Sequence, residues 1–475
     1  MNTSELMELV QNESMEYFIP LKDIPTELER KQYEEAYRSL HYYFPYSYEN
    51  FQIAYPNLNP EHIYCNRGFS PIYYWDAAEN ILLKVPVELE FGKGREEVER
   101  AVEKEMEVCK KSMEEGDYRF IHWSLNGRMK MEYLNHILSQ NKPIQEVYSL
   151  FHSTFVGADF GASAIKKENL LRIAAKMPPE EKEKLEKVKQ QLPERIRIYR
   201  GEGQESIPYE KAYSWSLNPK IATFYATRLG ETGNRFLSAE ANREDILCLG
   251  HESEQEILLL PEHVQVLEID WLYDKNFLKN GITKYYPLFE VYREDFIGLE
   301  LEAHGMMHAM RTMLLSELIY EARHPGETLQ MNHQILAIAS IYHDNSRKNT
   351  NRAFHSRASA DNVMQSEYHK AFTVKDVEFL ISFHEADHRD LEWHLGQLPV
   401  EKQETVRELF QILQDADALD CVRFGYCSEN SLDVEQLWLK ESRQMILVSQ
   451  MLYDGLQKID MQQLEELQQE AELKM

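Results

Sequence analysis

The spacing of hydrophobic residues changes twice along the chain, and each change predicts a different kind of element. Val98, Val102 and Cys109 lie at helical spacing with charged residues between them. This pattern predicts an amphipathic helix that ends at Gly116-Asp117. Helical spacing then continues to Lys189, and proline or glycine interrupts it at three points: Pro143, residues 157–159 and residues 178–179. We therefore expect a run of short helices in this part of the chain.

Strand-like sequence follows these helices. Polar and apolar residues alternate from Arg195 to Tyr199, and residues 257–260 and 264–269 are rich in residues that favour strands. We therefore expect a mainly β region over about 190–270. Helical spacing then returns, and it predicts further helices over residues 303–322, 334–343, 374–384 and 402–424.

The two ends of the chain depart from both patterns. Before residue 95, aromatic clusters such as Tyr42-Tyr43-Phe44 and Tyr73-Tyr74-Trp75 are interrupted by prolines, which predicts short elements and turns. These aromatic residues form either a recognition surface or the packed interior of a small module. From Leu456 onward the sequence is amphipathic and rich in glutamine and glutamate, which predicts a terminal packing helix.

Length and composition indicate several globular domains. The chain has 475 residues, 43% of them hydrophobic, which is too long for a single hydrophobic core. We predict a multidomain α+β fold, with the following parts: an aromatic-rich region over 1–95, a domain over 96–275 with a helical lobe (96–190) and a β core (191–275), an all-α domain over 290–455, and a C-terminal helix over 456–475.

Charge and hydropathy exclude some classes of function. The net charge of −28 disfavours a general nucleic-acid binder, whose affinity depends on Lys and Arg at the phosphates. The mean hydropathy is −0.55, and no apolar run reaches the roughly 18 residues of a membrane-spanning helix. The start has no Sec-type signal pattern, and the five scattered cysteines suit reduced thiols that pack rather than bind a metal. We therefore expect a cytoplasmic enzyme, or an effector delivered into a host cytoplasm.

Three short motifs follow one another through the predicted β region. They are Tyr199-Arg200-Gly201, Ser214-Trp215-Ser216 and Glu254-Gln255-Glu256. An arginine for phosphate, a hydroxyl near a ribose and a carboxylate beside developing positive charge suit a nicotinamide dinucleotide that loses its cationic leaving group. Gly201 lets the backbone turn and approach a ligand closely. On a strand, Glu254 and Glu256 are two residues apart and point the same way.

These motifs resemble the Arg-Ser-Glu class of mono-ADP-ribosyltransferases over about residues 100–270. The resemblance implies a β-sandwich-like domain that uses NAD as a substrate. Arg200 would hold the NAD phosphates, with Gly201 beside it, and Ser214 and Ser216 would line the nicotinamide-ribose pocket. Glu256 would be the catalytic glutamate, and Glu254 would engage a protein acceptor, which the Glu-x-Glu form associates with arginine. Trp215 stands where the family often has threonine, and we expect it to affect the shape of the pocket.

The helical region after residue 300 contains histidines and aspartates in a pattern suited to metal binding. His304, His308 and Arg311 are spaced to share one helix face, and the adjacent pair His343-Asp344 ends an apolar run. Asp417 lies in a further helical segment. Because histidine and aspartate from several helices hold divalent metals in hydrolases, this set predicts a metal centre.

The same residues resemble the HD superfamily of metal-dependent phosphohydrolases over about residues 300–430. The resemblance implies His308, His343, Asp344 and Asp417 as ligands of a divalent metal, which is Mn, Mg, Fe, Zn or Ni. His384, and less directly His355, would be further ligands or phosphate contacts. Four basic residues are the candidate phosphate contacts: Arg311, Arg347, Lys348 and Arg423. Asn345-Ser346 replaces the Glu-Asp pair of alarmone hydrolases, which disfavours alarmones as substrates.

The two resemblances together leave three hypotheses. The first is a bifunctional enzyme similar to SidE-type phosphoribosyl-ubiquitin ligases, in which the hydrolase acts on the ADP-ribosylated protein. The second keeps the activities separate, with a hydrolase of free nucleotides or second messengers and a transferase that is a toxin or antiphage effector. The third is a degenerate transferase that serves as a binding module, which the intact Glu254 and Glu256 disfavour.

Overall fold

The computed structural model describes most of the chain between Ser14 and Leu456. The described residues are 14–23, 51–53, 55–66, 69–85, 95–121, 125, 127–140, 144–158, 162–203, 206–228, 232–296, 304–326, 331–347, 355–365, 374–426 and 428–456. The predicted helix after Leu456, the cluster Tyr42-Tyr43-Phe44 and Lys348 lie outside these ranges.

The described part is a mixed α/β structure. Its strands are β1 (Phe18–Pro20), β2 (Ile63–Asn66), β3 (Phe69–Asp76), β4 (Ile81–Lys84), β5 (Arg195–Glu202), β6 (Ser214–Ser216), β7 (Arg235–Asn242), β8 (Cys248–Leu249), β9 (Glu256–Leu258) and β10 (Gln265–Trp271). Its helices are α1 (Arg95–Glu114), α2 (Gly127–Ser139), α3 (Val147–Val156), α4 (Lys167–Ala174), α5 (Pro179–Gln191), α6 (Pro219–Thr227), α7 (Lys275–Glu290), α8 (Met306–Arg323), α9 (Met331–Tyr342), α10 (His355–Gln365), α11 (Val374–Phe383), α12 (His388–Leu395), α13 (Val400–Asp420) and α14 (Lys440–Gln444).

The chain divides into two compact units. Unit 1 consists of Met1–Arg197, Ile207–Leu217 and Glu240–Gln265. Unit 2 consists of Ile198–Ser206, Asn218–Ala239 and Val266–Met475. Residues of the predicted β core are therefore assigned to both units.

Unit 1 begins with an antiparallel sheet in the order β1-β2-β3-β4. Tyr64 lies opposite Tyr73, and Tyr74 lies opposite Leu83. Tyr73 and Tyr74 are buried, so these two aromatic residues belong to a packed interior rather than to an exposed surface. Short strands and turns are what the interrupted aromatic sequence predicts for this region.

The helices of unit 1 confirm the prediction from apolar spacing. Val98, Val102 and Cys109 form the buried face of α1, and Gly116 follows the helix with a positive φ of 74°. Only glycine adopts this left-handed conformation without steric cost, so the helix ends here. The helices α2 to α5 then follow; α3 ends before Gly157 and α5 begins at Pro179, as predicted, whereas Pro143 lies outside the described residues.

Unit 1 also contains a small antiparallel arrangement of β6, β9 and β8. Ser214 lies opposite Leu258, and Ser216 lies opposite Glu256. The prediction that Glu254 shares a strand with Glu256 is wrong. Residues Glu252–Glu254 form a 3-10 turn, and Gln255 is left-handed with a φ of 47°, so the two-residue repeat of a strand starts only at Glu256.

In unit 2, the larger parts of β10, β7 and β5 are neighbours in that order. Helix α6 begins after Asn218, whose side chain accepts a hydrogen bond from the Lys220 backbone, and Pro219 occupies the first turn. Tyr199 of β5 and Ala222 of α6 share one hydrophobic core with the helices after residue 275. This core therefore includes residues from both of the regions that the sequence separates at about residue 275.

Helix α8 is the central helix of unit 2. Every residue from Met306 to Tyr320 is buried, and α9 and α13 pack against it. A helix buried on all sides can direct polar side chains only into an internal site or into paired contacts. Among the described residues after Trp271 the regular elements are all helical, and no described helix is both long enough and apolar enough to cross a membrane.

Candidate functional site

Four buried elements of unit 2 bring histidine and aspartate side chains to one place. His308 lies near the start of α8, and His343-Asp344 lies in the turn that ends α9. His384 follows the last residue of α11, and Asp417 is in the last turn of α13. The apolar faces of these helices pack in the core, and the polar residues at or near their ends meet beside it.

The four primary predicted ligands surround one point. His308 Nε2 is 3.1 Å from His343 Nε2 and 3.4 Å from Asp417 Oδ1. Asp344 Oδ2 is 3.7 Å from His308 Nε2 and 3.9 Å from His343 Nε2. Ligand atoms about 2.1 Å from a metal at a tetrahedral angle lie about 3.4 Å apart. The spacing of these atoms fits a shared divalent ion.

The other oxygen of Asp344 faces a second group of ligand atoms. Asp344 Oδ1 is 3.0 Å from His355 Nε2 and 3.5 Å from His384 Nε2. Glu385 Oε1 is 3.7 Å from His355 Nε2. His343, Asp344 and His384 form one set that could hold an ion, and His355, His384 and Glu385 form another. If two ions were held by these groups, Asp344 would be the residue that both groups share.

Three of these histidines are oriented through their Nδ1 atoms. His343 Nδ1 lies 2.7 Å from the carbonyl of Ser340, and His384 Nδ1 lies 2.8 Å from the carbonyl of Ile381. A carbonyl only accepts, so Nδ1 carries a proton and Nε2 is the ring atom that is left to bind a metal. His308 Nδ1 lies 2.8 Å from Asp420 Oδ2, which has the same effect.

Charge in the cluster favours cation binding. Burial opposes ionisation of Asp344, but His343 and the neighbouring imidazoles outweigh it and hold the pKa of Asp344 well below its usual range. Burial lowers the pKa of His308, so this imidazole is neutral. Burial also lowers the pKa of His343, but Asp344 and Asp417 outweigh it and raise that pKa to about 9. Asp344 and Asp417, whose pKa values are both held below their usual range by the neighbouring imidazoles, are therefore anionic, and a divalent metal would replace the Nε2 proton of His343.

Two buried atoms in the cluster fit a bound cation. Asp344 Oδ1 and His384 Nε2 lie 3.5 Å apart, and Asp344 Oδ1 lies 3.0 Å from His355 Nε2, but none of these contacts has hydrogen-bond geometry. Buried polar atoms left in this way cost free energy unless an ion or water satisfies them. The residues present therefore fit the divalent metal that the sequence predicts.

Two of the predicted phosphate contacts have a different role in the structure. The side chain of Arg311 is 5% exposed and donates through Nε and Nη2 to Asp420. Arg423 donates through Nη1 to the same carboxylate at 2.8 Å. Both guanidinium groups are thus engaged behind the ligands, which corrects their assignment as phosphate clamps. Arg347, 2.8 Å from Asp344 Oδ2, stays a candidate.

Three residues of the site were given no role from the sequence, although His304 belongs to the pattern that predicts the metal centre. His304 Nδ1 lies 2.8 Å from Asp344 Oδ2, just before α8 begins. Glu385 follows His384 directly, and Asp420 follows Asp417 by three residues on the same helix. Sequence proximity to a predicted ligand was the available signal for all three. It does not tell a ligand from a supporting residue, because that depends on which neighbouring helix each side chain faces.

In unit 1, the structure brings Ser214 and Glu256 together. The Ser214 hydroxyl donates to Glu256 Oε1, and the His251 backbone N–H donates to Oε2 at 2.9 Å. Burial raises the pKa of Glu256, and these two hydrogen bonds partly offset that effect. A Cβ atom on Gly250 would overlap the Glu256 carboxylate, so glycine is required there for this arrangement.

The neighbours of this pair have structural contacts. The Ser216 hydroxyl donates to the Glu254 backbone carbonyl at 2.7 Å and so attaches the turn to β6, whereas the sequence places Ser216 in a ligand pocket. Trp215 is 1% exposed and belongs to the core. The expectation that it shapes a pocket is therefore replaced by a packing role, since alternate residues of a strand face opposite sides.

Arg200 and Gly201 belong to unit 2. Arg200 Nε donates to Glu202 Oε1 at 2.8 Å, and Arg235 Nε donates to Glu202 Oε2 at 2.7 Å. A Cβ on Gly201 would overlap the Ala222 carbonyl. Gly201 therefore permits a close approach to the backbone of α6, and its approach to a ligand stays a prediction.

Comparison with known proteins adds no assignment. No family description matches the chain, and no curated protein and no solved structure matches it.

Proposed function

We propose that unit 2 is a metal-dependent phosphohydrolase. The observation that carries this proposal is the position of Asp344, whose two oxygens face two groups of imidazole and carboxylate ligand atoms. Divalent ions held in such a site stabilise the negative charge that develops on phosphate oxygens and supply a nucleophile from water. The resemblance to the HD superfamily supports the same reaction class, with residues 290–455 as an all-α HD domain.

The protein residues in this proposal have defined tasks. His308, His343 and His384 present Nε2 because their Nδ1 atoms are fixed. Asp344 contacts both groups of ligand atoms, one through each carboxylate oxygen. Arg347, whose side chain is 22% exposed beside Asp344, is placed to contact a substrate phosphate through the guanidinium nitrogens that do not face Asp344.

The test uses the full chain purified with Mn²⁺ and assayed on a phosphodiester and nucleotide panel. We expect phosphate-bond hydrolysis that Asp344→Asn and His343→Ala abolish. His152→Gln, which changes a histidine of unit 1 outside the cluster, is the matched control and keeps full activity. Activity that survives in the Asp344→Asn protein would contradict the proposal.

A second candidate function belongs to residues 191–275, proposed as a β-sandwich-like ADP-ribosyltransferase core. The contact between Ser214 and the buried Glu256 favours it, because a carboxylate oriented in this way suits an oxocarbenium-like transition state. By resemblance, NAD would be the donor, Arg200 would hold its phosphates, and Glu254 would direct transfer to arginine on a protein acceptor.

Incubation with NAD and mass spectrometry of acceptor proteins test this second function. We expect NAD consumption that Glu256→Gln abolishes and Arg200→Lys strongly reduces. Glu254→Gln would keep NAD hydrolysis but lose transfer to arginine. Absence of NAD consumption by the intact chain would leave a binding module.

The products also separate a coupled reaction from independent ones. Release of AMP from an ADP-ribosylated protein, lost in Asp344→Asn, would indicate that the hydrolase acts on the transferase product. Hydrolysis of a free nucleotide that survives Glu256→Ala but not Asp344→Ala would indicate two separate reactions. We propose that these reactions take place in a cytoplasm, either that of the cell that produces the protein or that of a host cell.

A further inference from the structure

A buried carboxylate behind the metal cluster accepts hydrogen bonds from one imidazole and two guanidinium groups. Asp420 is the last residue of α13 and is 0% exposed. Its Oδ2 lies 2.8 Å from His308 Nδ1 and 2.8 Å from Arg423 Nη1. Arg311 donates to both Asp420 oxygens, through Nε to Oδ1 and through Nη2 to Oδ2. Burying a carboxylate among three such partners is costly unless each contact is made.

We propose that Asp420 is the positioning residue of the metal centre, and that it sets the tautomer and the ring orientation of His308. The inference rests on the proposed function of unit 2. A carboxylate accepts hydrogen bonds and does not donate them, so His308 Nδ1 must be the protonated nitrogen. Nε2 then keeps its lone pair on the side where His343 Nε2 and Asp417 Oδ1 lie, at 3.1 Å and 3.4 Å.

Arg311 and Arg423 explain why the carboxylate stays where it is. Arg311 lies one turn after His308 on α8, and Arg423 lies three residues after Asp420. Arg311 contacts both oxygens of the carboxylate and Arg423 contacts Oδ2, which leaves the carboxylate little freedom to rotate. Their charge also stabilises the anionic form, which is the form that forces His308 to donate. The two arginines are therefore counter-ions of a positioning residue, and substrate contact is not their task.

Helix α13 provides one predicted ligand, Asp417, and also the carboxylate that positions another ligand, His308. Asp417 and Asp420 are three residues apart, so one helix face delivers Asp417 to the cluster and Asp420 to the imidazole that faces it. This links the crossing of α8 and α13 to the position of His308. A shift of either helix would move both contacts together.

His308 is the histidine for which this support can be tested by substitution. His343 and His384 rely on the backbone carbonyls of Ser340 and Ile381, which no side-chain change removes. In Asp420→Asn the side chain keeps its size, but its NH₂ group can donate to His308 Nδ1. The imidazole would then place a proton on Nε2, where a lone pair is needed.

The experiment measures Mn²⁺ affinity of the full chain at fixed pH by competition with a chelator. We expect Asp420→Asn to bind Mn²⁺ about 10- to 100-fold more weakly than the wild type, the range found for partners of metal-binding histidines. The matched control is Asp415→Asn. Asp415 is a 1% exposed carboxylate on the same helix, but it accepts from the backbone of Trp438 and Leu439. Its Mn²⁺ affinity should equal that of the wild type.

A milder variant and a spectrum keep the inference testable if Asp420→Asn folds poorly. Arg423→Gln removes one hydrogen bond to Asp420, and we expect a smaller loss of Mn²⁺ affinity with normal circular dichroism. Substitution with Co²⁺ should give a changed visible absorption spectrum in either variant. Wild-type affinity and an unchanged Co²⁺ spectrum in folded Asp420→Asn, or in Arg423→Gln if only that variant folds, would overturn the inference.

A further comparison separates this inference from the proposed function. If Asp344→Asn loses Mn²⁺ but Asp420→Asn does not, the metal centre stands and the positioning role of Asp420 falls. If the wild type binds Mn²⁺ no better than Asp344→Asn, the proposed metal centre falls, and the inference with it.

Discussion

Single residues in this protein show how differently a buried carboxylate can be used. Asp420 accepts hydrogen bonds from two arginines and one imidazole, whereas neither oxygen of Asp270 accepts a hydrogen bond from a residue that the structure describes. Asp270 is 1% exposed, and burial raises its pKa to about 6. Because the folded-state pKa lies above the unfolded one, the stability that protonation gives is complete near pH 4 and is lost as the pH rises through 6.

Asp270→Asn should therefore stabilise the protein at neutral pH. The variant removes an ionisation that disfavours the folded state, by about 3 kcal/mol at most for a pKa raised from 3.8 to about 6. Urea unfolding at pH 7.5 and at pH 5.5 checks this, and the gain should be smaller at pH 5.5. A variant less stable than the wild type at pH 7.5 would show that the carboxylate has a stabilising partner.

Gly250 gives a second test at the residue scale. Gly250→Ala places a methyl group where the Glu256 carboxylate lies, so the contact with Ser214 should break while the fold persists. We expect NAD hydrolysis to fall at least as far as in Ser214→Ala, without a large change in thermal stability. Gly455→Ala is the matched control because no heavy atom lies within 4 Å of the new Cβ. Unchanged turnover in Gly250→Ala would mean that the carboxylate can move without loss.

Among the elements, the helices could be predicted from sequence and the turn before β9 could not. The buried face of α1 repeats at a spacing that only a helix produces, so Val98, Val102 and Cys109 predict it without any tertiary information. The turn at Gln255 depends on a left-handed residue that is not glycine or asparagine, and no local signal marks it. The role of Arg311 could not be predicted either. Arg311 lies one turn after His308 whether it contacts a phosphate or Asp420, and only the position of α13 shows that it contacts Asp420.

The packing of α7 on α8 yields a prediction at the scale of elements. A Cβ on Gly281 of α7 would overlap Leu318 of α8, which is 1% exposed. Gly281→Ala should cost about 1–3 kcal/mol through overpacking, and Leu318→Ala about 2–5 kcal/mol through a cavity. The double variant should lose less than the sum, because the new methyl group enters the space that Leu318 leaves. Strict additivity in urea unfolding would mean that the helices do not meet there.

At the scale of the whole molecule, the high negative charge affects how strongly the protein attracts divalent cations. The division into two compact units affects which part of the chain a bound metal stabilises. The net charge of −28 attracts divalent cations generally, but screening by salt weakens such attraction at exposed sites. The cluster is different, because Asp344, His308, His343 and His384 are buried and these three histidines are oriented in advance. Binding of a divalent metal to the cluster should therefore persist at about 0.15 M salt and above, whereas diffuse binding of metal to the exposed surface should not.

Removal of the metal should affect the two units differently. A ligand that binds only the folded state stabilises it in proportion to the logarithm of its concentration over its dissociation constant, and this free energy belongs to the unit that contains the site. We expect a chelator to increase deuterium uptake in α8, α13 and the turn at His343-Asp344, all in unit 2. Uptake in α2 and in β2–β3 of unit 1 should stay the same, which makes them an internal control. Asp344→Asn should show the higher uptake without a chelator and no further change when one is added. A chelator effect of equal size in both units, or one that persists in Asp344→Asn, would place the ion elsewhere in the chain.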